Sequence, residues 1–378
     1  KAGHYENDAY SVELMIKSSP DVIQDLISYG VDFERNEDGS LAFTREGAHS
    51  QKRILYHEDI TGKEITRHLL EKVRQKKNVI LLENTPLVDL IVRGNVALGG
   101  VIKRNNQEEK VYAKKVVLAP GRDGSAWLTK VLSNQGLKLY NNQVDIGVRV
   151  ETSNIVMEEI NKNLYEGKFV YNTSVGTKVR TFCSNPSGHV VIENHSGTML
   201  ANGHAYHDPK LGSKNTNFAL LVSHTFSEPF NEPNEFAHEI SRLANKLSNG
   251  SVIVQRYGDI KRGRRTTYKR LKEGYTDPTL PEAVPGDLGL VLPYNTMKSI
   301  IEMIEAIDNV TPGIANEHTL LYGVEAKFYS ARPKVKEGFE SEIADLYVAG
   351  DGAGLTRGLA QAGANGILVA RHIVENIK

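Results

Sequence analysis

Near one end of the 378-residue chain a single carboxylate sits among three glycines, in the run LYVAGDGAGLTRGLAQAGANG (residues 346–366). Leu346, Tyr347 and Val348 read as a buried strand, which puts Asp351 just past a carboxyl end, where open α/β sheets bind ligands. Gly350, Gly352 and Gly354 let the backbone turn sharply and approach something bulky. Ala353, Leu355 and Thr356 complete the turn. A helix of small residues then runs from near Thr356 to about Ile377, and its amino end offers N–H groups and partial positive charge. A carboxylate here accepts hydrogen bonds from sugar or sugar-alcohol hydroxyls, and the helix end faces an electron-accepting ring. A second glycine-bearing strand end, Ala119-Pro120-Gly121, suggests that two such ends converge on one cofactor. On the residues alone, a plain turn with Asp351 capping the helix carries equal weight. The dinucleotide fingerprint G-x-G-x-x-G is absent: counted from Gly350 it needs glycine where Leu355 stands.

Other chemistry-bearing residues are weaker signals. The basic cluster KRGRR (261–265), with Arg256 nearby, is either a solvated face or an anion-binding wall. His49, His57, Glu58 and Asp59 match no familiar ligand spacing, so no metal is expected. His189, His195, His204 and His207 are scattered; His204, in NGHAY, is the one taken as a candidate proton donor. Cys183 lies in an alternating strand and reads as a buried, inert thiol.

The elements that must position these groups follow from periodicity. Residues 11–29 read as two short helices broken near Pro20. Thr61 and Glu64 have capping-box spacing, and apolar residues at helical intervals carry that helix to about Lys76. NVILLENT (78–85) reads as a short buried strand. Residues 87–121 read as a three-stranded meander with turns at Gly94-Asn95 and Asn105-Asn106, its last strand, Lys115 to Leu118, leading into Ala119-Pro120-Gly121. From about 145 to 328, VDIGVRVE, KVRTFC and HVVIENH suggest antiparallel strands, with helices at 234–247 and 297–308. The domain reading is a cap-like helical segment over 1–50, a cofactor domain over 51–140 and 329–378, and an inserted α+β domain over 141–328.

Zero formal net charge gives no field favouring nucleic acid or an anionic membrane. One cysteine in the whole sequence excludes internal disulfides and cysteine-ligated clusters. No apolar stretch is long enough to span a bilayer, so a cytoplasmic protein is expected. The chain begins at Lys1, and a fragment or processed product is one expectation from that.

The run LYVAGDGAGLTRGLAQAGANGILVARHI resembles the carboxyl-terminal FAD motif of FAD-dependent dehydrogenases, in particular the bacterial "NAD(FAD)-utilising dehydrogenases". VVLAPGRDGSAWL, NNQVDIGVRVE, KVRTFCSNPSGHVV, VIVQRYGDIKRGRRTT and TLLYGVEAKFYSARPKV extend that resemblance over about 96–378. KAGHYENDAYSVELMIKSSPDVIQDLISYGVDF, TREGAHSQKRILYHEDITGKEI and NVILLENTPLVDLI make residues 1 to about 92 similar to L-aspartate oxidase and the wider fumarate-reductase flavoproteins. The resemblance implies FAD as cofactor and a glutathione-reductase-like, Rossmann-type α/β domain, without its usual first strand, carrying the inserted domain. It implies that Asp351 bonds the ribityl chain, that backbone at 350–356, Ala119 and Gly121 approaches the cofactor, and that backbone near Leu87 and Val88 touches adenine. It gives Glu46, in R-E-G-x-H-S, the place that faces substrate in aspartate oxidases. The activity implied is an FAD-dependent oxidoreductase acting on a small molecule, possible partners being a carboxylate or NAD(P)H. L-aspartate oxidase and a non-catalytic flavoprotein remnant are the alternatives.

Overall fold

The computed structural model describes residues 9–44, 51–58, 60–140, 143–164, 167–206, 208–227, 229–230, 232–356 and 358–377. They fall into two compact units. One is built mainly from Gln143–Tyr329; the other joins the described residues up to Phe43 with Leu55–Asn142 and Ser330–Lys378.

The second unit holds the glycine turns. Its first element is one helix, Ala9–Ser28, which runs through Pro20 rather than breaking there. Proline removes one backbone hydrogen bond, but Val22 and Leu26 bury themselves beyond it against Ala364 and Phe33, and that burial holds the helix together. The helix Thr61–Arg74 forms as expected but without a capping box. Ile60 is the N-cap, the Thr61 hydroxyl accepts from the His57 N–H at 3.0 Å, and Glu64 turns instead toward Arg67 and His68. NVILLENT is not a buried strand. Val79, Ile80, Leu81 and Leu82 are all exposed, Ile80 at 86%. A continuous apolar run becomes a strand only where a neighbour accepts its backbone, and no described strand does.

The meander is Leu87–Arg93, Val96–Arg104 and Gln107–Tyr112, paired antiparallel in that order. Val88 falls at a register shift between Leu87 and Asp89. The strand that reaches the Ala-Pro-Gly turn, Val116–Leu118, is not part of the meander. It pairs in parallel with Leu346–Val348, a contact across more than 200 residues that no local pattern encodes. Behind this pair, Leu118, Leu346 and Val348 pack with Leu128, Val131 and Leu132 of the helix Ser125–Asn134.

The other unit is organised on a seven-stranded sheet in the order Val284–Pro285, Ile253–Arg256, Leu320–Lys327, Val144–Ser153, Asn215–His224, Lys178–Asn185, Val170–Asn172. The Val284–Pro285 pairing is parallel and the others antiparallel. Helices Pro233–Leu247 and Tyr294–Asp308 pack on its apolar face through Ala237, Ile240, Ile300 and Ile304. The fold is thus mixed α/β, and among the described residues no helix is long and apolar enough to cross a membrane.

Candidate functional site

The parallel pair Val116–Leu118 and Leu346–Val348 brings both glycine turns to one edge. The pairing continues for one step: the Ala349 N–H donates to the Leu118 carbonyl at 2.9 Å. Beyond it the backbones touch. A side chain on Gly352 would put Cβ 2.2 Å from the Gly121 carbonyl oxygen and 3.0 Å from Pro120 Cγ. Gly121 and Gly350 take φ of +70° and +76°, and neither has an atom within 4 Å of where a Cβ would stand. Backbone contact on one side and open space on the other form a shelf at the strand ends.

Three buried polar atoms in this region make no hydrogen bond: Trp127 Nε1, Thr356 Oγ1 and Asn365 Nδ2. Trp127 belongs to the helix that packs on the 351–353 turn. Asn365 is buried on the helix Leu359–Asn376, and its Oδ1 accepts the Gly350 N–H at 2.7 Å, so one half of the amide fixes the turn while the other is unsatisfied. Orphaned buried donors cost roughly 1–3 kcal/mol each, so three around one turn point to a ligand that accepts from them. Gly358, the N-cap of that helix, brings no capping side chain.

Asp351 opens a short 3-10 turn, Asp351–Ala353. Its Oδ2 accepts from Arg122 Nε at 2.9 Å and contacts Nη2 at 2.8 Å. Arg122 follows Gly121 directly, so the ion pair bridges the two turns. Sequence reading missed Arg122, Trp127 and Asn365. Arg122 stands one residue past a recognised turn, which was the available signal; Asn365 and Trp127 gave none.

The remaining candidates lie elsewhere. Glu46 falls outside the described residues, as do His49, Asp59 and His207. Val88 lies in the meander of the same unit as the turns, at its register shift. His204 belongs to the other unit, at the end of the hairpin His189–His195/Thr198–His204, with its ring edge-on to Tyr206 at 4.7 Å. Cys183 is half-buried rather than buried, at φ +48°, where residues 183 and 184 bulge from the ladder with Asn217 and Ala219. The KRGRR cations are mostly spoken for: Lys261 contacts Glu305 at 2.5 Å, Arg262 contacts Glu317 at 3.0 Å and Arg264 contacts the buried Asp259 at 2.7 Å. Lys261, Arg262, Glu305 and Glu317 line a cavity of about 350 Å³ whose charges balance, unlike an anion-binding wall. Among the described residues no group of three metal-ligating side chains occurs.

Residues 1–144 match the family described as FAD binding domain, and residues 143–328 match FAD-dependent protein, C-terminal domain-like. The second match coincides with the unit Gln143–Tyr329. L-aspartate oxidase of Clostridium perfringens is 40% identical over 149 residues, 39% of this chain and 33% of that protein. The L-aspartate oxidase of Clostridium acetobutylicum is 38% identical over 135 residues, 36% of this chain and 31% of the relative. An uncharacterised FAD-dependent oxidoreductase of Methanocaldococcus jannaschii is 32% identical over 136 residues, 35% and 25% of the two chains. The alignment with each Clostridium enzyme thus spans about a third of that relative's length. A quinol-fumarate reductase structure aligns over 97% of this chain and 57% of its own, at 15% identity and a TM-score of 0.48. The cofactor these family matches indicate is FAD, and the shelf, the orphaned donors and the carboxylate at the strand end fit it.

Proposed function

We propose that this chain, a flavoprotein by both of its family matches, acts as an FAD-dependent oxidoreductase on a small molecule, with the 119–122 and 350–356 turns holding the cofactor. The observation that carries the reading is the meeting of two glycine turns at the end of one parallel strand pair, ringed by unsatisfied buried donors. When bound, FAD supplies a ring that accepts a hydride, and the protein supplies orientation and electrostatics. Asp351 accepts from the ribityl hydroxyls. Gly121 and Gly350 leave room for a flat ligand, and Gly352 keeps the two turns in contact. Thr356 and Asn365 donate to acceptor atoms of the cofactor, and the uncapped amino end of Leu359–Asn376 favours the negative charge that develops on reduction. The substrate is a small molecule such as a carboxylate or NAD(P)H; the protein is cytoplasmic, with neither nucleic acid nor membrane as partner.

The sequence contains one tryptophan, Trp127, on the helix behind the site, which makes the test direct. Titration with FAD should quench Trp127 emission while the protein turns yellow. Unchanged emission and a colourless protein at saturating FAD overturn the proposal. A second reading, L-aspartate oxidase, draws on the 40% identity over 149 residues and on Glu46. Anaerobic L-aspartate should then bleach the FAD-loaded protein. If the flavin stays oxidised, that narrower reading fails and the broader one stands.

A further inference from the structure

We infer that His195 and His238 form a two-imidazole site for a divalent transition-metal ion of the Zn²⁺ and Ni²⁺ class. The two residues come from different elements of the unit Gln143–Tyr329. His195 ends the first strand of the hairpin His189–His195/Thr198–His204, and His238 lies in the second turn of the helix Pro233–Leu247. They meet at Phe328, the residue that follows the strand Leu320–Lys327. The His195 ring centre is 4.4 Å from that of Phe328 at an interplanar angle of 8°, and the His238 ring centre is 4.3 Å from it at 16°. The two imidazole centres are 5.6 Å apart, again at 16°. Nearly parallel rings at these separations have one arrangement. Imidazoles on opposite faces of Phe328 would stand two van der Waals contacts apart, about 7 Å or more. At 5.6 Å they share one face and lie side by side, edge toward edge.

Hydrogen bonding does not account for this arrangement. Among the described residues neither imidazole has a hydrogen-bond partner, whereas His68, His189, His224 and His318 each bond to a protein group. Both rings are partly exposed, so an ion in solution reaches them. Two imidazoles that share one metal at about 2.0–2.1 Å from each nitrogen have their centres roughly 5–6 Å apart, and this pair has that spacing. The imidazole χ2 torsion is close to two-fold, so either ring presents a nitrogen to the gap with its centre unmoved. Imidazole ligands suit Zn²⁺, Ni²⁺ and Cu²⁺, whereas Mg²⁺ and Ca²⁺ take oxygen. The nearby carboxylates have other partners: Glu193, two residues before His195, contacts Lys327 at 3.7 Å, and Glu235, one turn before His238, contacts Arg242 at 3.0 Å. The imidazoles are thus the two protein ligands. Phe328 closes one side of the gap, and water fills the remaining positions from the other. A metal held by both residues fastens the tip of the hairpin to the helix Pro233–Leu247.

Calorimetric titration of the full chain with Zn²⁺, and with Mg²⁺ as the hard-ion comparison, tests this without any turnover. The unaltered protein should bind Zn²⁺ and melt at a higher temperature with it, and Mg²⁺ should do neither. His195→Gln and His238→Gln should each weaken Zn²⁺ binding by about tenfold or more, since even a residue that only supports a metal ligand is worth that much. The double variant should lose little beyond either single one, because two ligands of one ion act as a unit. A thermal melt without metal checks that each variant folds. Hydrogen exchange of the unaltered protein, which depends on no variant, should slow at the Ser196-Gly197 turn when Zn²⁺ is added. Absence of Zn²⁺ binding, equal binding of Mg²⁺, or Zn²⁺ binding that survives both substitutions overturns the inference.

Discussion

Glycines within one short stretch make opposite demands. Gly352 leaves no room for a methyl group: its Cβ would lie 2.2 Å from the Gly121 oxygen and 2.9 Å from the Gly121 carbonyl carbon, both backbone atoms that cannot rotate away. Gly366 is exposed in the helix Leu359–Asn376 with nothing within 4 Å. Gly352→Ala must therefore pry the two turns apart, at the roughly 1–3 kcal/mol typical of overpacking, and should weaken FAD binding with it. Gly366→Ala should stabilise the helix by up to about 1 kcal/mol. Urea unfolding of both variants checks the contrast, and it fails if Gly352→Ala unfolds like the parent. The glycines were legible in the sequence as a turn at the end of a strand. Which of them touches the other strand was not, because that depends on the parallel pairing of residues 116–118 with 346–348.

At the scale of elements, periodicity located most helices to within a few residues, but it could not say what held them. The capping-box spacing of Thr61 and Glu64 is present in the sequence, yet Glu64 directs its carboxylate elsewhere. It accepts from Arg67 Nη2 at 2.9 and 3.0 Å, contacts His68 Nε2 at 2.8 Å and accepts the Asp32 N–H at 3.4 Å. The Arg67 hydrogen bonds, set against burial, hold the Glu64 carboxyl down at about 2 from an ordinary 4.5. A folded-state value below the unfolded one means that the carboxylate stabilises the fold above pH 4.5, and that this contribution fades as pH falls toward 2. Loss of it should loosen the tie between the helix Thr61–Arg74 and the Asp32 loop. Glu64→Gln should lower stability at about pH 7 and flatten its dependence on pH between 4.5 and 2. Unfolding curves across that window check it, and an unchanged acid slope in the variant would count against the network. The same kind of tertiary tie explains the helix that continues through Pro20, where a local rule predicted a break.

For the molecule as a whole, alternation in the sequence suggested antiparallel strands, and Val144–Ser153 and Lys178–Asn185 pair so in the seven-stranded sheet, but alternation does not say what covers each face. Along Val144–Ser153, Val144, Ile146, Val148 and Val150 face the apolar core, as the pattern implies. Asp145, Arg149 and Glu151 are nevertheless fully buried. The strand Thr198–His204 packs over this polar side, so that a Cβ on Gly203 would lie 2.2 Å from Asn217 Oδ1 and 2.9 Å from Arg149 Cζ. No window of sequence announces a polar face that another element covers. Asp145 accepts from Arg180, Tyr329 and Ser223 at 2.6–2.7 Å. Glu151 is satisfied by Tyr322, Thr279 and Asn215, although burial pushes its carboxyl pKa upward. Arg149 donates to the Cys183 carbonyl at 2.7 Å and to Glu325 Oε1 at 3.2 Å, with Nε 2.9 Å from Glu325 Oε2. That last approach lacks hydrogen-bond geometry, so the pair combines one hydrogen bond, to Oε1, with charge attraction at Oε2. Lys327 adds a second cation 3.3 Å from Glu325. Glu325→Gln therefore leaves two cations facing a neutral amide, one of them wholly buried, and should cost about 3–5 kcal/mol. Replacing both partners by apolar residues, Arg149→Met with Glu325→Leu, should cost clearly less than the single change, because no wholly buried charge is then unpaired and Lys327 keeps Glu193 at 3.7 Å. Denaturant midpoints, with hydrogen exchange read in strands Val144–Ser153 and Leu320–Lys327, decide it. Equal losses in the single and double variants would mean that packing, not charge pairing, governs this face of the sheet.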